Sequence, residues 1–239
     1  EMCIRDSVDG VDDGIANITL VGSPPRTDVD FGFAGTRSVA GQVWLDRNSN
    51  DANGEPNEPG LGGVTVELTF AGKDGDFATA TDNYVVTTAT DASGNYTFNN
   101  LVDGDYRVTS ITGLPAGLTP TSGGVIPDGI VDFSVSGASP ANQNLGYVGS
   151  STISDLVWLD HDGDGTQNAG TVGLADVLVT LVYTGADGVV DGDAEEFSLT
   201  VDSDDLAGTL GQYVFDNLPA GTFEVSIDTA DADMPTGLT

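Results

Sequence analysis

An all-β chain of tandem β-sandwich repeats is what this sequence predicts, on three observations. The composition favours strands and turns: Thr and Val are frequent, Gly (33) and Pro (10) are plentiful, and the helix formers Lys, Arg, Glu and Met are scarce. Apolar and polar residues alternate, most strictly in Val64-Thr-Val66-Glu-Leu68-Thr-Phe70. A period of two turns one face of a strand inward and the other to water. A short signature also occurs twice, as Trp44-Leu-Asp46-Arg-Asn48-Ser-Asn50-Asp51 and as Trp158-Leu-Asp160-His-Asp162-Gly-Asp164-Gly165. The two leading aspartates stand 114 positions apart, which marks an internal repeat.

Residues 1–7, Glu1-Met-Cys3-Ile-Arg-Asp-Ser7, are out of character with the rest of the chain. Met2 to Ser7 match the translation of a transposon-end sequencing adapter, so this stretch is expected to be a scar outside the fold. Residues 8–36 read as the C-terminal strands of a preceding repeat, with strands expected over 15–21 and 29–34. Phe31-Gly-Phe33-Ala-Gly35 matches Leu145-Gly-Tyr147-Val-Gly149 further on.

Residues 37–149 form one complete repeat of 113 residues, a normal size for a sandwich domain. Strands are expected at 39–45, 64–70, 84–90, 95–98, 106–108, 131–135 and 143–147, punctuated by Ala92-Ser-Gly94, Asp103-Gly104 and Ser122-Gly-Gly124. Residues 150–239 form a second repeat, cut short at its C-terminus. Tyr213-x-Phe215-x-Asn217-Leu218-x-x-Gly221-x-Phe223 reproduces Tyr96-x-Phe98-x-Asn100-Leu101-x-x-Gly104-x-Tyr106 at identical spacing. The counterparts of strands 131–135 and 143–147 are missing from it. Residues 8–36, or a neighbouring molecule, are therefore expected to pair with its open edge. Gly35-Thr-Arg37 and Gly149-Ser-Ser151 are short linkers, so neighbouring repeats should have little freedom.

The formal net charge is -32, from 38 acidic and 6 basic residues. Nucleic acid and anionic membrane both need basic patches and are poor partners, so no nucleic acid and no membrane insertion are expected. No apolar run approaches the ~20 residues of a membrane span. Two carboxylates about 4 Å apart repel by up to ~4 kcal/mol at an effective dielectric near 20, so the acidity calls for bound cations or high salt. The single Cys lies in the adapter-like stretch, which excludes a disulfide framework.

Oxygen ligands at every second position suit a hard cation, best Ca²⁺. With Asp160 at position 1, Asp162 falls at 3, Asp164 at 5, Gly165 at 6, Thr166 at 7 and Asn168 at 9. That is the spacing of an EF-hand-type loop: side-chain oxygens at 1, 3 and 5, a glycine for the turn, then a backbone carbonyl. The bidentate Glu normally at 12 is Thr171, and a strand pattern comes next in place of a helix. In the first repeat Asp46, Asn48 and Asn50 take positions 1, 3 and 5, and Asp51 replaces the glycine. Glu58 falls at 13, one late, which points to an insertion, and either Glu55 or Glu58 can close the site. The plain alternative for both loops is an acidic turn held by its own Asx hydrogen bonds.

A second acidic turn runs from Gly185 to Glu196, either a further cation site or a plain hairpin connection. Trp44 and Trp158, just before their loops, read as core anchors rather than sugar-stacking platforms. His161 is the only His and lies between two candidate ligands, a position for an exposed side chain. Carboxylates are so common that no glycosidase-like pair can be singled out. No catalytic or organic-cofactor site emerges.

The combined pattern is carried by Val43-Trp44-Leu-Asp46, Gly60-Leu61-Gly-Gly63-Val64, Gly94–Phe98 and Asn100–Val108 in the first repeat. The second carries it in Val157–Asp164, Gly173-Leu174-Ala-Asp-Val177, Gly211–Phe215 and Asn217–Val225. It resembles the SdrD B-like domains of serine–aspartate-repeat surface proteins, relatives of the collagen-adhesin B-type modules. The resemblance implies immunoglobulin-like or prealbumin-like antiparallel sandwiches, bound Ca²⁺, and tandem stalks on secreted, cell-surface or cell-wall adhesins. It also implies that Asp46, Asn48, Asn50, Asp160, Asp162 and Asp164 serve as ligands. Lys–Asn isopeptide cross-links occur in some relatives, but the sole Lys here, Lys73, lies in no early strand. The expected function is a calcium-stabilised stalk or spacer, not an enzyme, whose partners are neighbouring repeats of the same chain. The alternatives are a module that binds a host or cell-surface protein or a glycan, and an accessory domain of a secreted hydrolase.

Overall fold

The computed structural model describes residues 3–6, 31–79, 81–122, 128–168, 170–204, 206 and 208–237. Its regular structure is strand throughout. β1 (Cys3–Asp6) pairs antiparallel with β2 (Phe31–Ala34). The adapter-like stretch therefore supplies a strand, because ladder pairing needs only an extended backbone. The described part of the leading segment pairs with β1 and not with the second repeat, contrary to expectation. The strand expected over 15–21 lies outside the described residues.

The first repeat continues as β3 (Arg37–Leu45), β4 (Thr65–Phe70), β5 (Tyr84–Ala89), β6 (Asn95–Leu101), β7 (Gly104–Thr112), β8 (Thr119–Pro120), β9 (Ile130–Val135) and β10 (Leu145–Val148). One sheet has the order β6-β3-β10-β8 and the other β5-β4-β7-β9. Between them lie Val39, Val43 and Leu45 of β3, Val66 and Leu68 of β4, Tyr96, Phe98 and Leu101 of β6, and Tyr106 and Val108 of β7, all buried. The alternation read from the sequence thus becomes an immunoglobulin-like sandwich. Each such side chain contributes about 1.5–3 kcal/mol on burial. One pairing departs from the antiparallel rule: Leu145, Gly146 and Tyr147 run parallel to Val43, Trp44 and Leu45. Parallel neighbours need a long crossover, and here nearly the whole repeat separates the two strands.

The second repeat comprises β11 (Ser151–Leu156), β12 (Trp158–Leu159), β13 (Val172–Gly173), β14 (Leu178–Tyr183), β15 (Phe197–Asp202), β16 (Gln212–Leu218) and β17 (Phe223–Ile227). β15-β14-β17 repeats β5-β4-β7, and β11-β16 repeats β3-β6. Even the irregularity is copied: the register shifts between Arg37 and Val39 in one ladder and between Ser151 and Ile153 in the other.

Two shared positions show why the motif takes its form. Asn100 and Asn217 adopt φ of 61° and 56°, a left-handed turn that Asn tolerates better than most residues. The linker glycines dock onto these turns. Gly35 N–H donates to Asn100 O and Gly149 N–H to Asn217 O, both at 3.1 Å. A Cβ on either glycine would stand 1.9 Å from a leucine carbonyl oxygen, Leu101 or Leu218. Each linker is thus stitched into the repeat it leads.

Burial of two tyrosines makes a testable pH effect. Tyr96 donates to Gln143 O and Tyr106 to Val102 O. Burial pushes both phenols above the ordinary 10.0, with Tyr147 adding to it for Tyr96 and Tyr84 for Tyr106. A raised folded-state pKa means that the stabilisation is fully present below pH 10 and is lost as pH rises further. Urea midpoints are expected to fall as pH rises above 10, and Tyr96→Phe with Tyr106→Phe should flatten that fall. An equally steep fall in the double variant would contradict it.

Candidate metal centre

Each candidate loop begins where the first strand of its repeat ends. In the first loop Asp46 is fully buried, and its N–H donates to Tyr147 O at 2.7 Å. Its carboxylate accepts the N–H groups of Asn50 and Asp51, both at 3.1 Å. In the second, Asp160 is half-buried and accepts the N–H groups of Gly163 and Gly165, both at 2.8 Å. These donors hold the Asp160 carboxyl below the usual carboxylate range, with the Gly165 N–H the largest cause.

The two loops share a backbone path. Ser49 and Asp51 have φ of 58°, and Gly163 and Gly165 have φ of 70° and 72°. Positions 4 and 6 are left-handed in both. Glycine takes that conformation freely, and Ser49 and Asp51 take it at a cost of order 1–3 kcal/mol each. Burial, then the charge of Asp46, pushes the Asp51 carboxyl up.

The ends of the loops differ, and the strands show how. Gly60 bridges Trp44, and Gly173 pairs with Trp158. Glu58 and Thr171, each two residues before that glycine, therefore correspond, and the extra residue of the first loop lies before Glu58. Glu58 is only 9% exposed. One of its oxygens accepts the Asn48 N–H at 3.3 Å, and the other, Oε2, is buried with no partner. Loss of water pushes its carboxyl up, the charges of Asp46 and Glu55 add to it, and the backbone N–H groups of Asn48 and, more weakly, Arg47 oppose it. Glu55 lies at the rim, where it accepts the side-chain amides of Asn48 at 2.5 Å and Asn50 at 3.0 Å. Thr171 brings no charge; its hydroxyl donates to Asn168 O at 2.7 Å.

Asp160, Asp162 and Asp164 converge, with one carboxylate oxygen from each lying within 4.8 Å of the others. Asn168 donates its amide to Asp162 at 3.0 Å, and the Thr166 N–H closes a turn on Asp164 at 2.7 Å. Asp187, Asp191 and Asp193 converge in the same way, within the acidic turn that the sequence left open between site and hairpin. These carboxylate clusters can hold a metal ion. The spacing D-x-x-x-D-x-D was the signal for the additional one. Asp204 and Asp228 instead serve turns, accepting the N–H groups of Leu206 and Ala230.

Trp44 is a core anchor, 1% exposed, and offers no stacking platform. Trp158 is half-buried and His161 exposed.

Fold and loops together define tandem all-β sandwich modules with an acidic loop after the first strand. The SdrD B-like domain family matches residues 37–146 and 151–238, and the chain belongs to it. Serine-aspartate repeat-containing protein E of Staphylococcus aureus (strain Mu50) is 34% identical over 209 residues, 82% of this chain and 15% of that protein. Serine-aspartate repeat-containing protein D of the Newman strain is 29% identical over 93% of this chain and 16% of its own length. Colossin-A of Dictyostelium discoideum is 29% identical over 88% of this chain and 2% of itself. The chain thus spans a small fraction of each relative. Among solved structures, the shaft pilin spaA from Lactobacillus rhamnosus GG matches 84% of this chain and 89% of its own at 13% identity and a TM-score of 0.38.

Proposed function

We propose that the chain is a pair of calcium-stabilised structural repeats, residues 37–149 and 150–239, from the stalk or spacer of a secreted or cell-surface adhesin. The reading extends to this chain the surface-protein setting of its serine–aspartate-repeat relatives. The observation that carries the ion part is the buried, unpartnered oxygen of Glu58 beside the buried carboxylate of Asp46. A buried carboxylate oxygen with no donor is costly, and a divalent cation removes that cost. In the first loop Asp46, Asn48, Asn50 and Glu58 hold the ion, with Glu55 at the rim. In the second Asp160, Asp162, Asp164, the Thr166 carbonyl and Asn168 hold it. A bound Ca²⁺ neutralises the carboxylates and fixes the loop on the end of its strand. Nothing in this role needs bond-breaking chemistry.

Calorimetric titration with CaCl₂ tests the assignment. Binding is expected at about 10⁻⁴–10⁻³ M or tighter, the range of extracellular calcium modules. The first loop should be the tighter of the two, because Glu58 closes it and Thr171 does not close the other. Glu58→Gln should remove the tighter phase, and Asp160→Asn with Asp162→Asn the weaker. Absence of saturable heat across that range would refute it.

A further inference from the structure

Several differences between the two repeats make sense only at the surface where they meet. Arg47, at position 2 of the first loop, donates through Nε to Asp216 O at 3.0 Å and through Nη2 to Asp216 Oδ1 at 2.6 Å. Asn217 donates its side-chain amide back to Arg47 O at 2.7 Å. Asn57 accepts the N–H of Thr200 at 3.1 Å. Thr200 lies on β15, an edge strand whose outward N–H groups would otherwise face water. The second repeat has no Lys or Arg of its own. The cation that meets Asp216 therefore has to come from another repeat.

The glycine pair after the first loop is more telling. A Cβ on Gly62 would stand 1.8 Å from the Ala194 carbonyl oxygen, and one on Gly63 would stand 2.8 Å from Glu195 Cγ. The nearest obstacle to each belongs to the second repeat, while the first repeat adds the Asp91 carbonyl oxygen, 2.8 Å from the Gly62 Cβ position. The counterparts of these two glycines in the second repeat, from Gly60-Leu61-Gly-Gly-Val64 against Gly173-Leu174-Ala-Asp-Val177, are Ala175 and Asp176. Asp176 even holds the same left-handed turn, with φ of 60° against 69° at Gly63. The closest approach to Gly62 is thus made by the neighbouring repeat, and the own-repeat contact with the Asp91 carbonyl oxygen is the looser one.

We infer that the two repeats form an asymmetric docking pair, in which the Arg47 and Gly62 face of the first recognises the Asp216–Asn217 corner of the second, and that this pairing fixes their order. The reverse order lacks the parts. The second repeat presents His161 in place of Arg47 and Ala175-Asp176 in place of Gly62-Gly63. The receiving corner of the first repeat has Asn99 where the second has Asp216. A lone surface ion pair is worth little. This one is two-pronged, its arginine side chain is 15% exposed, and an amide returns a bond from the same corner. The contacts themselves use no ion, but Arg47 and Asn57 stand in the first loop, so the test is run with calcium saturating and its deciding variant, at Gly62 and Gly63, lies outside that loop.

Spin labels test it in the full chain, with Cys3→Ser, Thr97→Cys and Ser226→Cys, in saturating CaCl₂. One narrow inter-label distance is expected. Gly62→Ala with Gly63→Asp installs residues that the same fold already carries in the second repeat. It should leave the first repeat folded, with a cooperative melt, and abolish the narrow distance. Arg47→Asp should abolish it too, and Arg47→Asp with Asp216→Arg should restore it. A distance that stays narrow in the glycine variant, or a charge swap that restores nothing, would overturn the inference.

Discussion

In EDTA the first repeat is expected to melt roughly 10–15 °C below its melting temperature in calcium. A cation that binds only the folded loop stabilises by RT ln(1 + [L]/Kd), about 2.7 kcal/mol at a hundredfold excess over Kd. For a domain of this size 1 kcal/mol moves the midpoint by several degrees. The effect should concentrate in the first repeat, because Asp46 and Glu58 are buried there, whereas the Asp160 cluster is largely open to water. Water already screens the second cluster, so an ion relieves less strain. Asp46→Asn with Glu58→Gln should erase the first repeat's response. General screening of the -32 charge is separated by comparing NaCl with CaCl₂ at equal ionic strength. Equal melting in the two salts, and no drop in EDTA, would remove calcium from the account.

Trp44→Ala should cost about 3–5 kcal/mol, the range for emptying a buried aromatic site. The indole is wedged where β3 meets β10. A Cβ on Gly146 would stand 2.8 Å from Trp44 Cζ2, so glycine there is what admits the ring. The packing is tight but imperfect, since the indole Nε1 is buried without an acceptor. An unmade bond of that kind costs about 1–3 kcal/mol, so Trp44→Phe should be much cheaper than Trp44→Ala. Trp158→Ala should cost less than Trp44→Ala, because no strand equivalent to β10 covers it among the described residues. Urea midpoints of the three variants check the order. If Trp158→Ala is the costliest, the wedge account is wrong.

Much of this was legible along the chain. Val64–Phe70 announced a strand by alternation alone, and the strand forms as Thr65–Phe70. The recurring Tyr-x-Phe-x-Asn-Leu-x-x-Gly pattern announced two copies of one unit, and its Asn turns and strands coincide in the structure. The spacing of Asp160, Asp162 and Asp164 foretold that their carboxylates meet. Other features stayed hidden. Glu55 and Glu58 were both candidates on paper, because an insertion of unknown position separates them from Asp46. The Gly60-Leu61 and Gly173-Leu174 motifs set Glu58 opposite Thr171, and the structure adds that Glu58 is buried and turns into the loop. The parallel run of β10 along β3 was equally invisible, since no local pattern encodes a partner some hundred residues away.

The sequence by itself determined the period of the strands, the repeat and the placing of acidic loops at strand ends. These are properties of neighbouring residues: alternation, glycine at left-handed turns, and oxygen atoms at every second position. Tertiary structure alone decided which glutamate is buried beside Asp46, why Trp44 is sealed while Trp158 is not, and why Arg47 and Gly62 differ from their counterparts. Each of those depends on what a distant segment places against the residue. Burial, a missing hydrogen-bond partner and the room left for a Cβ exist only once that segment has arrived.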